Sequence, residues 1–256
     1  MKKQLLFFGI LVFSMLSAVS QNNLFQKKEF IYKNDTLKYR ILYPENYDKT
    51  KKYPLVLFLH GAGERGNDNE KQLIHGSTLF TNSENRQKYP AIVVFPQCPE
   101  KEYWAPINSR ADGFSYPESA KATEPMQLVI KLLNSIKKTE AIDNKRVYVT
   151  GLSMGGMGTY DLICRKPHLF AAAVAICGGV NTDRLKKVKK MDIRIYHGSA
   201  DNIVSPKHSE EVYDTLKKLG SDKVELKIYP GIGHDSWTSA FAEPDFLSWL
   251  FSKSKK

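Results

Sequence analysis

The sequence predicts an α/β fold with a mostly parallel central sheet, helices on both faces and an antiparallel N-terminal hairpin. Three observations carry this. Short runs such as Leu55-Val56-Leu57-Phe58-Leu59 are apolar without alternation, the mark of strands buried on both faces. Segments with apolar residues at helical spacing fall between those runs. An early segment, Glu29 to Tyr43, instead alternates apolar and polar residues around Asn34-Asp35, which reads as a two-stranded hairpin.

Taken in order, the hairpin is followed by a strand from Pro54 to Leu59 that ends at His60-Gly61. Ala91 to Phe95 repeats the buried pattern, and looser versions come at Val147-Tyr148-Val149, Ala171 to Ile176, Ile193 to Tyr196 and Val224 to Tyr229. Between them, Met126 to Ile136 has helical spacing, with Glu124-Pro125 as its start. Met154 to Cys164 is a second helix, stopped by Lys166-Pro167. Glu210 to Leu219 ends at Gly220, and Ser239 to Phe251 closes the chain as a last helical segment. Such alternation of strand and helix builds a parallel sheet with the hairpin at one edge, whose ligands bind at the carboxyl ends of the strands.

The first residues form a leader: Lys2-Lys3, an apolar run from Leu5 to about Leu16, then Ala18 and Ser20. This is the pattern of a secretory signal peptide over residues 1–20, cut before Gln21. The run is shorter than the ~20 residues of a membrane span, so no stable membrane insertion is expected after cleavage; an uncleaved anchor is the alternative. Residues 21–256 suit one catalytic-size domain, secreted or periplasmic, with Ser252 to Lys256 as a frayed tail. Net charge is +11, and removing the two leader lysines leaves +9. A basic surface favours acidic partners, but these lysines are scattered, and the run Arg184 to Lys190 has no interleaved aromatics to stack bases. No nucleic-acid partner is expected. Cys98, Cys164 and Cys177 are too few for a disulfide scaffold. One pair could bridge, although Cys164 and Cys177 lie in apolar stretches and read most simply as buried small side chains. No cysteine or histidine cluster has metal-ligand spacing, so neither metal nor cofactor is expected.

The chemistry lies in Gly151-Leu152-Ser153-Met154-Gly155-Gly156, which follows the strand Val147-Thr150 and opens a helix. This is a G-x-S-x-G nucleophile elbow in the strand–turn–helix context of an α/β-hydrolase fold. The glycines let the strained turn pack against its neighbours, and the helix N-terminus favours negative charge developing at Ser153. That fold requires an acid after a later strand and a histidine after the last, in the order Ser, Asp, His. Asp201 lies just past Ile193-Tyr196, in His197-Gly198-Ser199-Ala200-Asp201. His234 follows the last strand in Pro230-Gly231-Ile232-Gly233-His234. The catalytic set is therefore Ser153, Asp201 and His234, with His234 as base and Asp201 orienting it. His60, His75, His168, His197 and His208 precede the required position; His197 is expected to pack beneath the Asp201 loop. Asp235, beside His234, is the weaker choice of acid.

His60-Gly61-Ala62-Gly63-Glu64-Arg65-Gly66 follows the strand expected beside the nucleophile strand. Such a loop supplies one backbone N–H to an oxyanion hole, and the residue after the nucleophile supplies the other. The assignment is Ala62 and Met154, with Gly63 as a substitute for Ala62. Glu64 and Arg65 are expected to pair locally and hold the loop. A long irregular segment, residues 97–124, leaves the carboxyl end of a strand and carries Trp104, Arg110, Phe114 and Tyr116. It should overhang the site, with Trp104 as a substrate contact. The stretch between Gly179 and Asp192 is too short for a lid domain, which suits accessible or polymer-attached acyl groups better than dispersed lipid.

With these residues assigned, the chain resembles the small single-domain α/β-hydrolase esterases related to dienelactone hydrolases, feruloyl esterases and polyhydroxybutyrate depolymerases, overlapping predicted peptidases of the prolyl-oligopeptidase clan. The segments carrying the resemblance are PLVLFLHGAGERGNDN (54–69), FPQCPEKEYW (95–104), VYVTGLSMGG (147–156), 197–204 and 231–237. It implies an esterase with a Ser153–His234–Asp201 set and a small-molecule or polysaccharide-linked ester as substrate. The clan overlap leaves a peptidase acting on short peptides as the alternative, although no propeller domain is present in the sequence to restrict entry to peptides. A catalytically dead binding protein of the same fold is the third reading.

Overall fold

The computed structural model describes residues 24–110, 113–118 and 121–255. The leader and its cleavage point lie outside the described residues. Strands β1 (Gln26–Tyr32) and β2 (Asp35–Leu42) form the expected antiparallel hairpin. Lys33 makes the turn at a φ of 56°. Strand β3 (Tyr53–Leu59) is buried along its whole length, as is β4 (Ile92–Pro96). A short antiparallel ribbon, β5 (Asn108–Arg110) and β6 (Gly113–Ser115), interrupts the long irregular segment. The sheet continues with β7 (Ile142–Leu152), β8 (Ala172–Ile176), β9 (Asp192–Gly198) and β10 (Val224–Tyr229).

Eight strands run in the order β1-β2-β4-β3-β7-β8-β9-β10. The hairpin occupies one edge and joins β4 antiparallel, while every pairing from β4 through β3 to β10 is parallel. Unbroken apolar runs serve this design because alternate residues enter different cores. Leu55, Leu57, Leu59, Val147 and Val149 pack with Leu132, Ile163 and Leu216 on one face. Val56, Phe58, Tyr148, Val174 and Tyr196 pack with Phe80, Phe246 and Leu250 on the other.

Two short helices that the sequence reading did not resolve, α1 (Ser77–Thr81) and α2 (Ser83–Lys88), precede β4. Helix α3 (Glu124–Thr139) is capped by the Thr123 hydroxyl, which accepts from the Met126 N–H, and it carries a proline in its first turn. Helix α4 (Met154–Arg165) follows β7 directly. Helix α5 (Lys207–Lys218) starts three residues earlier than the apolar spacing suggested, just after Pro206. The expected single closing helix is in fact two, α6 (Trp237–Phe241) and α7 (Phe246–Phe251). Pro244 lies between them, and its missing N–H and ring bulk break a helix there. Among the described residues no helix is long and apolar enough to cross a membrane.

Candidate active site

Ser153 sits between β7 and α4 at φ 53°, ψ −117°, a region costly for a residue with a Cβ. Packing holds it there. A Cβ on Gly151 would stand 2.3 Å from the Gly155 carbonyl oxygen, and one on Gly155 would stand 1.9 Å from that of Leu59. Only glycines let the turn press this closely on β3. The Ser153 N–H donates to the Ile176 carbonyl at 2.9 Å, tying the turn to β8 on its other side.

The loops after β9 and β10 bring the partners to that hydroxyl. His234 Nε2 lies 2.9 Å from Ser153 Oγ, and its Nδ1 lies 2.7 Å from Asp201 Oδ2. Asp201 Oδ1 accepts the backbone N–H groups of Ile203 and Val204, both at 2.9 Å. Burial alone would raise the Asp201 carboxyl, but hydrogen bonds from His197, His234, Val204 and Ile203 outweigh it and hold the group well below the usual carboxylate range. An ionised acceptor on Nδ1 puts the hydrogen there and leaves Nε2 as a lone pair facing the hydroxyl. This arrangement can take the Ser153 proton and stabilise the imidazolium that results.

Cys177, at the end of β8, completes a group whose potential ligand atoms lie within 4.8 Å of one another: its Sγ, Asp201 and His234. Burial pushes its thiol up to about 12, so it is neutral at ordinary pH. Asp201 and His234 Nδ1 meanwhile satisfy each other. Cys98, Cys164 and Cys177 are all buried free thiols.

The loop after β3 forms a 3₁₀ turn at Ala62–Glu64. Ala62, Gly63 and Met154 all stand on the wall around Ser153. Met154 is in the first turn of α4, where an N–H has no partner within the helix. His60 is fixed below them: its Nε2 accepts the Cys98 N–H at 2.9 Å, so its Nδ1 carries the hydrogen toward the Gly61 carbonyl at 2.6 Å. The expected Glu64–Arg65 pair is replaced by other contacts. Glu64 faces His75 Nε2 at 3.6 Å, whereas Arg65 donates to the Ala62 carbonyl and lies over the Tyr103 ring. Adjacent side chains on this tight turn diverge too far to meet.

A cleft of about 350 Å³ opens over Ser153. Its walls include Tyr103, Ile107, Phe114, Met157, Ile203 and Trp237. The long segment thus supplies a wall, as expected, but Trp104 is not part of it. It is fully buried, its indole N–H donates to the His60 carbonyl at 3.1 Å, and its ring meets the His60 ring edge-on. An indole N–H that finds a main-chain acceptor is drawn into the core. The residue before it, Tyr103, stands half-buried on the cleft wall instead. Tyr116 turns to the His208 ring, and the Arg110 side chain lies outside the described residues. Trp237 was missed: three residues past His234, it stands edge-on to that imidazole at 5.4 Å. Its spacing from the histidine was the available signal. Between β8 and β9 the chain forms a 3₁₀ helix (Thr182–Val188), and no lid domain closes the cleft from that side.

Residues 46–245 match the phospholipase/carboxylesterase family. The chain is 31% identical over 153 residues to a bifunctional acetylxylan esterase/xylanase of Neocallimastix patriciarum, covering 59% of this chain and 20% of that one. It is 27% identical over 139 residues to the probable feruloyl esterase C of Aspergillus terreus, covering 54% and 44%. The chain thus spans less than half the length of either relative. A solved thermostable esterase superposes with a TM-score of 0.84 at 32% identity, covering 91% of this chain and 64% of that one.

Proposed function

The chain belongs to the phospholipase/carboxylesterase family, and from that premise we propose that it is a secreted or periplasmic serine hydrolase of carboxylic esters, acting on acyl groups of small molecules or polysaccharides. Ser153 Oγ attacks the ester carbonyl as His234 Nε2 takes its proton. The carbonyl oxygen becomes an oxyanion held by the N–H groups of Ala62 and Met154. His234 returns the proton to the departing alcohol oxygen, leaving an acyl group on Ser153. Water, deprotonated by the same nitrogen, then releases the acid and restores the hydroxyl. Asp201 keeps the imidazole oriented and stabilises its cationic form throughout.

The observation that carries this reading is the continuous file from Ser153 Oγ through His234 to Asp201, at 2.9 Å and 2.7 Å, on an open cleft. The leader motif supports export, and the lidless, largely apolar cleft supports accessible esters. The test sets p-nitrophenyl acetate and butyrate against chromogenic dipeptides, in the wild type and in Ser153→Ala. Ester turnover lost in the variant is expected, by ~10⁴-fold or more. Peptide turnover far above ester turnover would favour a peptidase of the prolyl-oligopeptidase clan. Failure of a fluorophosphonate to label Ser153 would leave a binding protein.

A further inference from the structure

Asp201 is shared by two imidazoles, and the proposed mechanism uses only one. His197, the penultimate residue of β9, is fully buried. Its Nε2 lies 3.1 Å from Asp201 Oδ2, the same oxygen that His234 engages, and 2.9 Å from the Val204 carbonyl. Both neighbours are acceptors only, so Nε2 carries a hydrogen. Its Nδ1 lies 2.7 Å from Ser209 Oγ on α5. The ring is therefore pinned at both nitrogens, between a helix and the catalytic carboxylate.

We propose that His197 is a positioning residue of the relay, its Nε2–H fixing the Asp201 carboxylate in the orientation His234 requires. The proposal rests on the reading of Ser153, His234 and Asp201 given above. A carboxylate has about four acceptor sites, and here they are filled in pairs: Oδ1 by two backbone N–H groups, Oδ2 by two imidazoles. The backbone pair and His197 fix the carboxylate on three sides, so the fourth direction, toward His234, is set before substrate arrives. The 2.7 Å bond is then held at its angle by groups that take no part in the proton transfer. Sharing Oδ2 also spreads its charge. Removing the His197 donor leaves more negative charge facing His234, which favours the imidazolium and moves the rising limb of the kcat/KM profile to higher pH. Other ionisable groups around this cluster include Cys177, Asp235, His208 and Glu211, with Glu64 on the cleft wall that His234 shares, and none is altered in the variants below.

Two near-isosteric substitutions separate positioning from packing. In His197→Gln the amide nitrogen reaches the place of Nε2 and keeps a donor on Asp201. In His197→Asn the shorter side chain reaches only the place of Nδ1, keeping Ser209 and losing Asp201. With p-nitrophenyl acetate, His197→Asn is expected to lose tenfold or more in kcat with KM within about threefold, and to show the alkaline move of the rising limb. His197→Gln is expected to stay within about threefold of the wild type, with its limb unmoved. Equal kcat and pH profiles in the two folded variants overturn the proposal. Should His197→Asn not fold, a folded His197→Gln below a tenth of wild-type kcat overturns it, and one with the wild-type limb and kcat supports it. Fluorophosphonate labelling separates the two levels of failure. No labelling of the wild type sinks the relay itself, whereas equal rates in wild type, Gln and Asn sink only the role of His197.

Discussion

His60 and His234 each stand just past the carboxyl end of a strand in the same parallel sheet, one after β3 and the other after β10. Their surroundings differ in what meets each nitrogen. Both nitrogens of His60 are engaged by main chain, at Cys98 and Gly61, and the ring is buried. Burial pushes its pKa down to about 4, with the nearby Arg65 charge acting in the same direction. His234 is 21% exposed at the side chain, with a carboxylate behind Nδ1 and a hydroxyl before Nε2. A histidine closed in by peptide groups has no proton it can move and becomes a strut. One placed between an acid and a hydroxyl has a proton route. Position after a strand therefore nominates a histidine, and the partner of its second nitrogen decides what it does.

That contrast breaks most sharply at His234. His234→Ala is expected to lower kcat by ~10⁴-fold or more, with the melting temperature within a few degrees of the wild type. A variant of unchanged activity would remove His234 from the chemistry. His60→Leu should do the reverse. It strands the Cys98 N–H, worth roughly 1–3 kcal/mol when buried and unpaired, and leaves the Gly61 carbonyl only the longer bond from the Glu64 N–H at 3.4 Å, so the urea midpoint should fall well before activity per folded molecule does. The gap should also depend on pH. Above about pH 6.5 His60 is neutral in both states; below it the unfolded chain takes up a proton that the folded one refuses, so the wild type loses up to about 3 kcal/mol by pH 4. His60→Leu lacks that loss, so the stability difference between the two proteins should narrow as pH falls from 7.5 to 4. A constant difference over that range would mean that His60 is not held neutral.

The sheet was legible because strands buried on both faces leave unbroken apolar runs, as at Leu55–Leu59. The positions of Ser153, Asp201 and His234 were legible because each sits just past a strand. Less could be read where the decisive contact joins segments far apart in sequence. Nothing local to Trp104 says that its indole N–H will find the His60 carbonyl, and nothing local to His197 says that it will share an oxygen with His234. The split of the last helix was present in the sequence at Pro244, but the apolar spacing on either side of it masked the break. Helices α1 and α2, five and six residues long, are too short to show a period.

The smallest expected effect belongs to the neighbours Tyr103 and Trp104, which face opposite ways from one stretch of chain. Trp104→Phe keeps an aromatic ring against His60 and deletes the N–H that meets the His60 carbonyl. Removing that donor leaves the buried His60 carbonyl without it, at roughly 1–3 kcal/mol, which for a domain of this size lowers the melting temperature by roughly 2–12 °C. Since the ring never reaches the cleft, KM for a small ester should not change. Tyr103→Ala removes a wall residue instead, and should raise KM for a bulky aromatic ester several-fold, on the order of 1 kcal/mol of lost contact, while leaving acetate esters nearly untouched. Paired melting curves and KM values for the two variants decide it. If Trp104→Phe raised KM and left the melting temperature alone, the indole would have to reach the substrate, and the division of labour between these adjacent residues would be reversed.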